Sequence, residues 1–173
     1  MAELIRELAD RLGQDEFTAV CLSLMAGAPR EEHLDTLPWL SGHDWSAGQP
    51  VHEHGTWHDY WLRTWGARGL LHVWDEAASE SIVAHLADDH WRPAEMCLKV
   101  VAAHEVAGAG DGAAALAAHE LPRVRAAAMR ALVVVGDTEH VEVVRDHLDD
   151  ADLTVRRTAA RALERLLARL DLA

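Results

Sequence analysis

The sequence predicts an all-α fold, a solenoid of stacked helix pairs with a helical cap at its N-terminal end. Three observations predict it. Residues 57–173 repeat with a period of 31: Leu62-Arg63, Pro93-Ala94, Val124-Arg125 and Val155-Arg156 step by that interval. Gly69-Leu70, Val100-Val101, Ala131-Leu132 and Ala162-Leu163 follow in the same register, as do Leu86, Ala117 and Leu148 upstream. A fixed period of this size marks supersecondary units that bury their apolar faces against one another. Apolar residues recur at helical spacing throughout, and no segment alternates with the period of two that a strand requires. Asp, Thr and Gly stand between the periodic stretches, where they cap helix ends.

Three segments form the cap, residues 1–56. Glu3–Leu12 places Leu4, Ile5, Leu8 and Leu12 on one helical face. Phe17–Met25 carries Phe17, Val20, Cys21 and Leu24 at the same spacing. Pro29 suits the first turn of a third helix that ends near Trp39 and Leu40, before Ser41-Gly42. Residues 41–56, rich in Gly, Pro and Ser, then read as a long loop. From Trp57 onward, first helices are expected near 57–74, 91–106, 121–135 and 152–170, and second helices near 76–87, 111–119 and 138–149. The last repeat lacks a second helix. Its Leu163, Leu166, Leu167 and Leu170 are either satisfied within one chain or pack on another copy, which leaves a homodimer through 153–172 open.

VRAAAMRAL (124–132) and VRRTAARAL (155–163) both fit V-R-x-x-A-x-x-A-L; LRTWGARGL (62–70) fits with Gly for Ala, and PAEMCLKVV (93–101) fits in spacing and apolarity. The chain resembles HEAT repeats of the short bacterial type also seen in phycobilin lyase subunits. The resemblance implies a right-handed α-α superhelix and a protein-binding array, and it says almost nothing about what is bound. In that family the Arg after Val and an Asp six residues earlier form a structural ladder between repeats. Asp150 and Arg156 match the pair; Arg125 faces His119 instead and Asp88 faces Ala94, so the ladder reads as incomplete. Gly66, Cys97, Ala128 and Ala159 hold one register of small residues that lets helices approach closely.

The net charge is −13. Residues 1–56 hold 3 Lys/Arg against 10 Asp/Glu, residues 57–121 hold 4 against 10, and residues 122–173 hold 9 of each. Such acidity repels a phosphate backbone and argues against nucleic acid. It also argues against the basic groove of the alkylpurine DNA glycosylases built from HEAT-like repeats. No apolar run approaches the ~18 residues of a membrane span, and MAELIRELADRLG reads as an amphipathic helix rather than a signal peptide, so a cytoplasmic location is expected. Cys21 and Cys97 lie in apolar helical patterns and read as buried free thiols.

Four features carry candidate chemistry. Glu80, Asp111 and Glu142 recur at the repeat period on the second helices, the usual binding face in such arrays, and Asp146 and His147 extend that stripe. It suits a basic protein or peptide. All seven Trp lie between 39 and 91, and Trp45, Trp57, Trp61, Trp65 and Trp74 could line a ligand pocket, with Asp44, Glu53 and Asp59 near in sequence. Acids beside indole faces would favour a cation, each contact contributing about 0.5–2 kcal/mol. The commoner role of such an aromatic stripe is core packing. His52, His54, His58 and Asp59 offer imidazole and carboxylate ligands for a divalent metal such as Zn, Ni or Fe, although the spacing is not an established motif. The basic last helix, with Arg156, Arg157, Arg161, Arg165 and Arg169, reads as a solvated outer face. No nucleophile elbow, phosphate loop or HExxH is present. The leading reading is therefore a non-catalytic interaction module without a cofactor. The alternative is a ligand- or metal-binding protein, and in the further case an enzyme, built around residues 39–74.

Overall fold

The computed structural model describes residues 1–49 and 58–172. These fold into helices α1 (Ala2–Leu12), α2 (Gln14–Met25), α3 (Leu37–Ser41), α4 (Tyr60–His72), α5 (Ser79–Ala84), α6 (Trp91–His104), α7 (Gly110–Ala117), α8 (Pro122–Val135), α9 (Val141–Asp146) and α10 (Leu153–Arg169), with no strand among the described residues. Compactness divides the chain into two units, 1–81 and 82–173. Within each compact unit helices pack mainly on near neighbours in the chain, as in an α-solenoid.

In the first unit α1 packs on α2, α3 on both α1 and α4, and α2 on α4. The buried stripe of α1 is Ile5, Leu8 and Ala9, and Leu4 stays largely exposed, so the apolar face is centred one position later than its leucines suggest. Gly13, at φ +85°, makes the sharp turn between α1 and α2, a conformation only glycine adopts without strain. The expected third helix is two pieces: a 3-10 turn over Arg30–His33 and the short α3. Close approach of α2 and α4 depends on the absence of side chains at Gly66 and Gly69. A Cβ at Gly66 would lie 2.5 Å from the Cys21 carbonyl oxygen, and one at Gly69 would lie 2.4 Å from Cys21 Sγ. This packing places the first helix of the repeat array in one compact unit with the cap. The motif boundary, between 56 and 57, therefore differs from the compact boundary, between 81 and 82. Residues 50–56 of the expected loop, and Trp57 where the first repeat helix is expected to start, lie outside the described residues.

The second unit is layered around α8, which packs against α6, α7 and α10. Eight of its residues are buried, Val124, Ala126 to Met129 and Ala131 to Val133, so α8 is covered on most of its circumference, as a central helix must be. Pro122 opens it at a position where no N–H is needed. Asp152 caps α10 by accepting from the N–H groups of Thr154 and Val155. The second helices near 76–87 and 138–149 are short α-helices flanked by 3-10 turns, whereas α7 is a single α-helix.

Burial follows the period. Leu62, Pro93, Val124 and Val155 are all buried; so are Gly66, Cys97, Ala128 and Ala159, and Gly69, Val100, Ala131 and Ala162. Leu148, which ends the last of the second helices, and Leu163, in the last repeat, are only half-buried where their counterparts are covered.

One sequence expectation is corrected. The Asp150 carboxylate does not bind Arg156 of its own repeat. It is gripped by Arg125 of the preceding repeat, Nε to Oδ2 at 2.7 Å and Nη2 to Oδ1 at 2.8 Å. Arg156 instead donates to the carbonyls of Asp150 and Ala151, and Arg125 likewise donates to those of His119 and Glu120. A guanidinium one turn into a helix folds back on the carbonyls before that helix, and only its far edge reaches the next repeat.

Candidate functional site

The acidic stripe of the second unit begins with Asp111 in the first turn of α7 and Glu142 in the first turn of α9, equivalent positions of neighbouring repeats and both exposed. Carboxylates suit those places because a helix N-terminus favours negative charge. Asp111 lies 3.2 Å from Nε2 of the buried His140, and Glu142 pairs with Arg145. Asp146, at the end of α9, is exposed. His147 belongs to the fold rather than to a free surface. Its Nδ1 lies 2.7 Å from the Val143 carbonyl and its Nε2 lies 2.8 Å from that of Ala117, so neither ring nitrogen is left for a partner. The second contact covers an orphan carbonyl at the end of α7, which ties two repeats together. Glu80 is exposed on α5 in the first unit.

Asp111, Glu139 and His140 bring three ligand atoms within 4.8 Å of one another, a set the sequence reading did not single out. The hydrogen bonding opposes a cation there. His140 Nδ1 accepts from the Asp137 N–H at 2.9 Å, which makes Nε2 the protonated nitrogen, donating to Asp111. A metal at Nε2 would displace that proton while Nδ1 still faces an N–H. Of the trio, His140 is the N3 member of the capping box that it forms with Asp137 at the start of this second helix, and the Asp111 carboxylate lies against its other ring nitrogen.

Three of the tryptophans, Trp45, Trp61 and Trp65, pack together. Trp65 is 2% exposed and Trp45 is 4% exposed. Their rings meet edge to face at 5.7 Å, and Trp61 stacks on Trp65 at 6.0 Å and 24°. The Trp45 indole N–H donates to Ser41 Oγ at 2.9 Å, which answers the polar end of a buried indole. Half-buried Trp74 donates to Glu76. Asp44 points away to bond the hydroxyl and N–H of Ser46, and these bonds lower its pKa.

Among the metal candidates, His58 and Asp59 are exposed just before α4, and the His58 ring stacks on Tyr60 at 5.3 Å. Asp59 borders a cavity of about 260 Å³ lined by residues 27–31 and Leu62, where Arg30 pairs with Glu31 at 2.8 Å. His52, His54, Glu53 and Trp57 lie outside the described residues.

Sequence reasoning missed a basic register. Lys99, Arg130 and Arg161 are spaced by 31, and Arg68 precedes them by the same step. In the second unit these side chains border cavities on the first helices rather than on the second. The signal was the seventh position of the repeat motif. It was hidden because acids and bases cancel in the total for residues 122–173.

Among the described residues, no helix is long and apolar enough to cross a membrane. Residues 112–170 match the family model for HEAT repeats. Comparison with curated proteins finds no match.

Proposed function

We propose that this chain, a HEAT-like repeat protein, is a non-catalytic interaction module whose acidic second-helix positions receive a basic protein or peptide. The observation that carries the reading is the exposure of Asp111 and Glu142 at equivalent places of adjacent repeats, in an array of a kind that generally binds proteins. Glu80 holds the same register in the first unit, and Asp146 extends the stripe. The packing of Trp45, Trp61 and Trp65 on one another supports this reading over a Trp-lined ligand pocket, because those ring faces are occupied by other rings. A cytoplasmic setting and the absence of a cofactor accompany the proposal.

The test is fluorescence anisotropy of a labelled Lys/Arg-rich peptide with the intact protein and with the triple variant Glu80→Ala, Asp111→Ala, Glu142→Ala. Exposed ion pairs contribute about 0.2–1 kcal/mol each, so the triple change should weaken binding by about 3- to 150-fold. Binding should also fall with added salt. Thermal stability should stay nearly unchanged. Peptide affinity that survives both the triple change and high salt would sink the acidic-stripe reading.

A further inference from the structure

The first helices of the second unit carry a charge pattern opposite to that of the second helices. Lys99 on α6, Arg130 on α8 and Arg161 on α10 occupy one register of the repeat. Two cavities open along the seams between these helices. One, of about 260 Å³, is lined by Leu98, Lys99, Ala102, Ala103, Ala127 and Arg130. The other, of about 380 Å³, adds Val133, Val134, Thr158, Arg161, Ala162 and Arg165 to Ala102 and Arg130. Because Ala102 and Arg130 border both, the two form one groove across three helices. Its lining includes four cations, of which Lys99 pairs with Glu95 at 3.2 Å, and no carboxylate.

Eight of the ten arginines of this unit fall into two sets. Arg123, Arg125, Arg145, Arg156 and Arg169 are engaged: with Glu95, Asp150, Glu142, the carbonyls of Asp150 and Ala151, and those of Val133 and Gly136. Arg130, Arg161 and Arg165 are exposed and have no ion pair or hydrogen bond among the described residues. Arg157, Arg161 and Arg165 follow one another at four-residue intervals along α10, so like charges repel there. No ion pair or hydrogen bond among the described residues gives these charges a role in the fold.

We propose that this groove is the docking site of an extended acidic peptide, whose Asp or Glu side chains are received by Arg130, Arg161 and Arg165. Arginine suits the role because its planar fork binds a carboxylate through two N–H groups. The spacing fits as well. Packed helices stand about 8–10 Å apart. A polyproline-II peptide brings every third side chain to one face, about 9 Å apart. Acids three residues apart would therefore meet Arg130 and Arg161 on neighbouring helices. The small residues Ala102, Ala127 and Ala162 leave room for the peptide backbone between the rungs. A short peptide is favoured over a long polyanion because the chain as a whole carries a net charge of −13 and repels any strand that runs past the groove.

The probe is a fluorescein-labelled peptide of Glu-Pro-Pro units, followed by anisotropy with the full chain, with a Gln-Pro-Pro peptide as control. The expected result is salt-dependent binding of the Glu peptide alone. It should weaken by about tenfold or more in the double variant Arg130→Gln, Arg161→Gln, and be unchanged in Asp111→Ala, Glu142→Ala. The latter pair separates this proposal from the acidic-stripe reading. The arginine variant should melt no lower than the wild type, since it relieves repulsion. No binding by the wild type, equal binding of the Gln peptide, or binding that survives the arginine variant would each overturn the proposal. So would tighter arginine-dependent binding of oligothymidylate, or self-association lost in the arginine variant, which would assign the groove to a single strand or to a second copy.

Discussion

Arg125 holds both carboxylate oxygens of Asp150, at 2.7 and 2.8 Å, from the repeat that precedes it. The pair is largely buried, with 15% of the arginine and 7% of the aspartate side chain exposed. The same carboxylate accepts from the Asp152 N–H at 2.8 Å, so Asp150 joins two repeats and shapes the turn into α10. The guanidinium holds its pKa down to about 2, below the ordinary carboxylate value of 3.8. The depression stabilises the fold fully above the ordinary value, and the contribution is lost as pH falls through about 4 towards 2. With allowance for solvent screening it amounts to about 1–2 kcal/mol. Asp150→Asn should abolish it while leaving an amide oxygen for Asp152. Urea denaturation at neutral pH and near pH 3 should show a smaller loss for the variant than for the wild type. Equal losses would rule the linkage out.

The rung positions predict a second series. Asp88, His119 and Asp150 are equivalent, and each accepts from the N–H two residues on: Asp88 from His90 at 2.9 Å, His119 through Nδ1 from Leu121 at 3.0 Å, Asp150 from Asp152 at 2.8 Å. An imidazole thus replaces a carboxylate without loss of the turn. His119→Ala should cost about 1 kcal/mol, as removal of a helix cap does, whereas His119→Asn and His119→Asp should recover most of it. Thermal melts of the three variants check this; a loss shared by all three would mean that ring packing, not the acceptor, matters.

What was legible in the sequence, and what was not, follows from these contacts. The period placed the buried positions in register because packing repeats wherever a repeat meets its neighbour. The Arg125 to Asp150 pair was misassigned because its separation of 25 is set by a side chain crossing between repeats, which spacing within one motif does not report. The acidic stripe was readable at the repeat period, and so was the basic register. The latter was passed over because residues 122–173 balance to zero, a total that conceals opposite charges on different helices. The two-way capture of His147 by carbonyls was invisible, since nothing in the sequence marks a histidine as a cap for the neighbouring repeat.

Close approach yields a third prediction. Alanine is the better helix former by about 0.8–1 kcal/mol, so propensity alone favours Gly66→Ala. The Cβ, however, would sit 2.5 Å from a backbone oxygen of α2, which cannot turn aside as a flexible side chain can. The variant should be net destabilised by about 1–3 kcal/mol. Ala128→Leu, at a fully buried position of the same register, should cost a similar amount. Denaturant midpoints decide; a Gly66→Ala protein as stable as the wild type would show that the helices can separate at little cost.

The two thiols give the last prediction. Cys21 and Cys97 are both fully buried, and burial pushes each thiol well above its ordinary pKa, with Asp88 adding to the effect at Cys97. Since the thiolate is the reactive species, neither should react with a disulfide reagent in the native protein. Labelling should instead follow local opening and accelerate with denaturant. Gly69→Ala offers an internal control, because its Cβ would press within 2.4 Å of Cys21 Sγ and loosen the α2–α4 seam. It should speed labelling at Cys21, read by mass spectrometry of the two cysteine peptides, before it affects Cys97. Rapid labelling of Cys21 in the unmodified protein would mean that the glycine seam opens readily in the native state and does not shield the thiol.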